Sequence, residues 1–114
     1  YFPLLLIGFE AEYIFYMHLI TISWGHFNHA NVDLPLGVFK YVFNSPQMHI
    51  WHHAKDLPSD HEMGANFGLT LSVWDYIFKT SYVPSSGRDI ELGFEGDEYY
   101  PKTFIKQILS GFKK

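Results

Sequence analysis

The run Glu10-Ala11-Glu12-Tyr13-Ile14-Phe15-Tyr16-Met17-His18-Leu19-Ile20-Thr21-Ile22-Ser23-Trp24 decides the fold class, and its apolar and aromatic character continues to Ala30. It reads as one helix over 10–30. Gly8 interrupts what precedes it, and Glu10 and Glu12 fall in the first turn, where the helix dipole favours negative charge. A bilayer core of about 30 Å takes about 20 residues of helix, so this one is just long enough to span if both glutamates reach the interface. His18, Thr21 and Ser23 make it less apolar than a lipid-facing span, which implies packing against other helices. A buried helix of a soluble protein is the alternative at this length.

Working outward, Asn31 to Gly37 reads as a loop through Asp33, Pro35 and Gly37, and a short apolar piece over 38–44 follows. Ser45 is placed to cap a helix with Pro46 in its first turn, carrying residues 47–54. Residues 55–64 are polar and hold Pro58, so they form a loop. Residues 65–79 return to apolar side chains, and Leu69, Leu71, Val73, Trp74, Ile77 and Phe78 fit a further helix with a broad apolar face. Residues 82–101, with Pro84, Gly87, Gly93 and Gly96 among charges, look like an irregular tail. A last short helix is expected over 103–112, with Lys113 and Lys114 behind it. The expected class is all-α.

The chain has 114 residues, no cysteine, a formal charge of -4 and 19% aromatic residues. It opens at Tyr1 on an apolar run and reads as a piece beginning inside an element. The absence of cysteine excludes disulfides, iron-sulfur clusters and cysteine nucleophiles, so any metal must take nitrogen and oxygen ligands. With no basic run to track phosphates, nucleic acid is not an expected partner.

His49, His52 and His53 stand at i, i+3 and i+4, positions that share a helix face, and three imidazoles from one turn can converge on an ion. Imidazole suits iron, zinc, copper and nickel alike. His29 lies upstream, behind the apolar helix. His18, eleven residues earlier, is roughly 16 Å away at 1.5 Å per residue and too far to share its metal. His61 sits in the polar loop and reads as a solvated side chain.

Taken in order, several motifs carry a resemblance: His29-Ala30-Asn31-Val32, Leu34-Pro35-Leu36-Gly37, Tyr41-Val42-Phe43-Asn44-Ser45-Pro46, the His-x-x-His-His run, Asn66-Phe67-Gly68 and Trp74-Asp75. Together they resemble the C-terminal part of the fatty acid hydroxylase and sterol desaturase superfamily of membrane di-iron enzymes. The tail from Tyr99 to Phe112 is similar too. The resemblance implies that residues 1–114 are the C-terminal part of a single hydroxylase-like domain. Its fold would be a membrane helix bundle with a cytosolic-side, histidine-bearing helical cap and an irregular tail. It would be multi-pass, in a bacterial inner membrane or endoplasmic reticulum.

The same resemblance implies His29, His49, His52 and His53 as metal ligands, with no catalytic residue beyond them. The family's earlier motifs, His-x(3,4)-His and His-x-x-His-His, have no counterpart here. Asn66 and Asp75 are candidates to orient the imidazoles through their second ring nitrogen, as bound histidines usually require. Against that, Asn66 would cap a helix starting near Phe67 and Asp75 would lie on a helix surface.

The chain departs from the family pattern at Gly25, where the upstream motif has its first histidine and His26, at i-3 from His29, is one candidate to substitute; at Gly64, where the family commonly has Asp and where Asp60 and Glu62 are the candidates to take over; and at Lys79, in place of the Gly of Phe-Gly-Thr. The implied cofactors are two non-haem iron ions with O2 as co-substrate, and the implied partners are a lipid substrate, the membrane and an electron-donor protein. The implied reaction is hydroxylation or desaturation of a fatty acyl or sterol-like lipid. An alkylglycerol-ether monooxygenase and a non-catalytic, zinc-binding membrane protein are the competing readings.

Overall fold

The structure, a computed structural model, describes residues 2–112; Tyr1, Lys113 and Lys114 lie outside the described residues. Its α-helices are α1 (Phe2–Leu6), α2 (Ala11–Asn28), α3 (Pro46–His52), α4 (Val73–Phe78) and α5 (Phe104–Ser110), with 3-10 turns at Gly37–Tyr41, Ser59–His61 and Asp97–Tyr99. Among the described residues there is no strand, and an isolated antiparallel bridge pairs Ala54 with Leu92. The all-α expectation holds.

Gly8 ends α1 at φ +94°, a conformation that glycine adopts without steric cost. In α2 apolar residues run all round the axis, so it lacks the polar face of a surface helix. Only Ile14 and Asn28 of α2 are buried, while Tyr13, Phe15 and Ile20 are each more than half exposed. Its 18 residues give a length of about 27 Å, short of a hydrocarbon core of about 30 Å. Glu12, His18, Thr21, Ser23 and His26 lower its mean hydropathy further. No helix among the described residues is long and apolar enough to cross a membrane, so the span expected over 10–30 is not found in this form.

The interior is small and mostly polar. Met48, Trp51, Ala54 and Ala65 are buried beside Asn28, Asn44, Ser45, His49, Asn66, Ser72 and Asp75. Such groups are tolerated only when hydrogen-bonded, and nearly all of these are. Asn44 donates to the Gly68 carbonyl, its own carbonyl accepts from Trp24 Nε1 at 3.1 Å, and its side-chain oxygen accepts from the Ser45 amide at 2.8 Å. Asn28 donates to the Leu69 carbonyl at 2.6 Å and Ser72 Oγ to the Lys40 carbonyl at 2.6 Å. These bonds fasten the end of α2, the 37–41 turn and the 65–72 segment to one another.

Helix α3 forms as expected. Ser45 Oγ accepts from the Met48 amide at 3.2 Å and Pro46 occupies the first turn, so the cap satisfies one orphan donor and proline removes another. The helix expected over 65–79 is found only as Val73–Phe78. Its first half is pulled out of helix by side chains that bind backbone elsewhere. Asn66 stands at φ +51°, and Asp75 captures the amides of Phe67 and Gly68. The tail crosses back over α3: Trp51 Nε1 donates to the Ser85 carbonyl at 3.0 Å. A Cβ on Gly87, at φ +72°, would run into Ile50 and the Trp51 ring, so only glycine allows this close crossing.

Candidate metal centre

His29 caps the C-terminus of α2, His49 lies in α3 and His53, one turn on, caps the C-terminus of α3, so the junction of the two helices brings three imidazoles together. Their Nε2 atoms form a nearly equilateral triangle: His29 to His49 3.2 Å, His29 to His53 3.3 Å, and His49 to His53 3.2 Å. The centre of a triangle with these sides lies about 1.9 Å from each corner, so an ion just off its plane meets all three nitrogens at the ~2.0–2.1 Å usual for imidazole ligation.

Tautomers support the same reading. His29 Nδ1 is 2.7 Å from the Gly25 carbonyl, which can only accept, so Nδ1 carries the proton and Nε2 presents a lone pair. That lone pair faces two further ring nitrogens. A neutral ring can donate Nε2–H to it, and with the Nδ1 tautomer on all three rings the lone pairs converge where a cation would satisfy them. His49 is the buried member, and its Nδ1 has no hydrogen-bond partner among the described residues. Burial, and then the neighbouring rings of His53, His29 and His52, lower its pKa to about 4. His53 is lowered for the same kind of reason, burial first and then His52 and His29. Both rings are therefore neutral near pH 7, the form that ligates.

His52 is held apart from this triangle. Its Nδ1 donates to the Ala65 carbonyl at 2.8 Å, and its ring stacks on His49 with centroids 5.4 Å apart. At i+3 it projects to the other side of the i/i+4 pair and lines a second cleft with Asp56, Glu62 and Glu95. The fixed Nδ1 proton leaves Nε2 as its ligating atom. The group of three thus contains His29, His49 and His53, and His26, the suggested substitute at the upstream motif, is not part of it. His61 stands against the Tyr82 ring, centroids 5.1 Å apart, with Asp60 Oδ1 3.2 Å from its Nδ1. It is less exposed than a solvated loop side chain, with a side-chain exposure of 12%.

Asn66 and Asp75 do not bond to an imidazole, contrary to the direct role expected of them. Asn66 donates to the Met48 carbonyl at 2.8 Å and the Tyr82 carbonyl at 2.7 Å, and accepts from the Tyr82 amide at 2.9 Å. Asp75, 2% exposed rather than at a helix surface, accepts from the Phe67 amide and Thr80 Oγ1, each at 2.7 Å, and from the Gly68 amide at 2.9 Å. Both act through backbone: they fix the loop whose Ala65 carbonyl orients His52. Neither Asp60 nor Glu62 is in the histidine triangle.

A cleft of about 250 Å³ opens beside the triangle, lined by His29, His49 and His53 together with Asp33, Ile50 and Arg88 among others. Asp33 and Arg88 were not singled out by sequence reading. They are far apart along the chain and only the fold puts them on one wall.

A sequence model described as fatty acid hydroxylase matches residues 1–80. The chain is 30% identical over 112 residues to ornithine lipid hydroxylase OlsE of Rhizobium tropici, an alignment that covers 98% of this chain and 32% of that protein. The chain thus spans about a third of the length of that curated relative. No solved structure matches.

Proposed function

The chain belongs to the fatty acid hydroxylase family, and from that membership we propose that it is the C-terminal part of a membrane-associated, O2-dependent lipid hydroxylase with a histidine-ligated di-iron centre. The observation that carries the reading is the triangle of Nε2 atoms from His29, His49 and His53, sized for one first-row metal ion. His52, with its Nδ1 proton committed to Ala65, is the ligand this segment offers to the second ion. His29, His49, His53 and His52 would hold iron there, and the chemistry it would supply is activation of dioxygen, with one oxygen atom going to a C–H bond, the other to water, and two electrons and two protons drawn from a donor protein and solvent.

This chain's own residues hold the ligands neutral and aimed. Burial keeps His49 uncharged, the Gly25 and Ala65 carbonyls fix the Nδ1 protons of His29 and His52, and the Asn66 and Asp75 networks keep the loop in place. The exposed apolar residues of α1 and α2, including Phe2, Leu6, Phe15 and Ile20, support burial against lipid or further helices of the same protein. Hydroxylation is preferred to desaturation because the relative is named a hydroxylase, and a lipid with an amino-acid headgroup is the substrate class that name suggests.

The test is metal analysis of the full-length protein together with lipid profiling of cells with and without the gene. The reading expects two irons per chain, and hydroxylated lipid that disappears in a His49→Ala variant. A single zinc and an unchanged lipid profile would establish the structural zinc reading instead.

A further inference from the structure

We propose that Asp33 and Arg88 form a headgroup subsite for a lipid bearing both an ammonium and a carboxylate, which places a particular part of that lipid at the histidine triangle. The inference rests on the lipid hydroxylase reading and deepens it. Both residues line the same cleft as His29, His49 and His53, and they are the side chains of that lining with a fixed charge. Arg88 Nε lies 3.7 Å from Asp33 Oδ2, and the two side chains are 50% and 48% exposed.

A pair this long and this wet is a weak partnership, worth little to the fold. The guanidinium has five donors and the contact engages one nitrogen, so it keeps a fork free for a carboxylate. Asp33 keeps acceptor capacity for an ammonium. A zwitterion therefore exchanges one loose contact for two charge-matched ones, and a headgroup of one sign satisfies only half of the pair. The same cleft is also lined by Val32, Ile50 and Leu92, apolar side chains that suit methylenes. Because the pair and the histidines share this one cleft, an amphiphile anchored by its headgroup at Asp33 and Arg88 would present its near carbons to the histidines.

The experiment uses the full-length protein reconstituted with iron and an electron donor. It compares an amino-acid lipid carrying a free ammonium and carboxylate with phosphatidylglycerol and with a neutral diacylglycerol. The wild type should prefer the zwitterion. Arg88→Gln and Asp33→Asn should each lower kcat/KM for it by about tenfold, chiefly through KM, since each removes binding rather than chemistry. Their turnover of the neutral lipid and their iron content should stay unchanged, and Arg88→Lys should retain an intermediate preference. Equal loss on all lipids, or loss of iron, would assign the pair a structural role and overturn the proposal. A wild type without headgroup preference, or variants that keep it, would overturn it too while leaving lipid hydroxylation standing. If the wild type hydroxylates none of the three lipids but retains iron, the underlying lipid hydroxylase reading fails with it.

Discussion

Replacing Asp75 by Asn changes one atom in the most heavily used buried carboxylate of the chain. Oδ1 accepts from the Phe67 amide and Thr80 Oγ1, and Oδ2 from the Gly68 amide. An amide must point its nitrogen at one of those N–H groups in either flip, so at least one bond becomes a donor facing a donor. Hydrogen bonds to a charged group are each worth about 1.5–3 kcal/mol, and an orphaned buried N–H costs about 1–3 kcal/mol. Asp75→Asn should therefore destabilise by about 2–4 kcal/mol, and Asp75→Ala, which abandons all three donors, by more. The loosened loop carries the Ala65 carbonyl that orients His52, so metal retention should fall by about tenfold or more. Urea unfolding of the full-length protein in detergent, followed by tryptophan fluorescence, gives the stability, and dialysis against a chelator gives the metal retention. A Asp75→Asn variant within about 0.5 kcal/mol of wild type, with unchanged metal retention, would refute the reasoning, because surface substitutions stay within that range.

His49→Ala should remove one ion per chain and His52→Ala should spare that ion, which elemental analysis of the two variants distinguishes; loss of the same ion from both would join His52 to the triangle. Lys79 ends α4 at φ +60°, where the family has glycine, and Lys79→Gly should stabilise by about 0.5–1 kcal/mol as relief of left-handed strain exceeds the added chain entropy; a melting temperature that falls contradicts this. The lowered pKa values of His49 and His53 mean that the unfolded chain takes up protons first as pH drops below 6.5. The stability due to His49 is thus complete above pH 6.5 and lost between there and about pH 4, up to about 3 kcal/mol. The metal should accordingly remain bound well below pH 6.5, and a metal-release midpoint at or above that pH would show the imidazoles to be ordinary.

Local chemistry was legible in the chain. The Ser45-Pro46 start of α3, the break at Gly8, the last helix and the i/i+4 pairing of His49 with His53 follow from rules that operate within one turn. The His-x-x-His-His run with Asn66-Phe67-Gly68 and Trp74-Asp75 also carried the family. The apolar pattern over 65–79 misled, since periodicity registers where hydrophobic side chains recur but not that Asn66 and Asp75 bind distant backbone in preference to a helix. Asp75 was open between a surface and an orienting role, and its carboxylate proved to be buried on backbone amides.

By itself, then, the sequence determined the helical class, the ligand types and the neutral, cysteine-free chemistry they allow. Only the tertiary structure decided which histidines meet. His29 reaches His49 and His53 because Asn28 and Trp24 lock the end of α2 onto the Leu69 and Asn44 carbonyls, 41 and 20 residues away along the chain. Contacts at such separations leave no periodic trace in a single sequence. The same long-range closure sets His52 apart and brings Asp33 to Arg88.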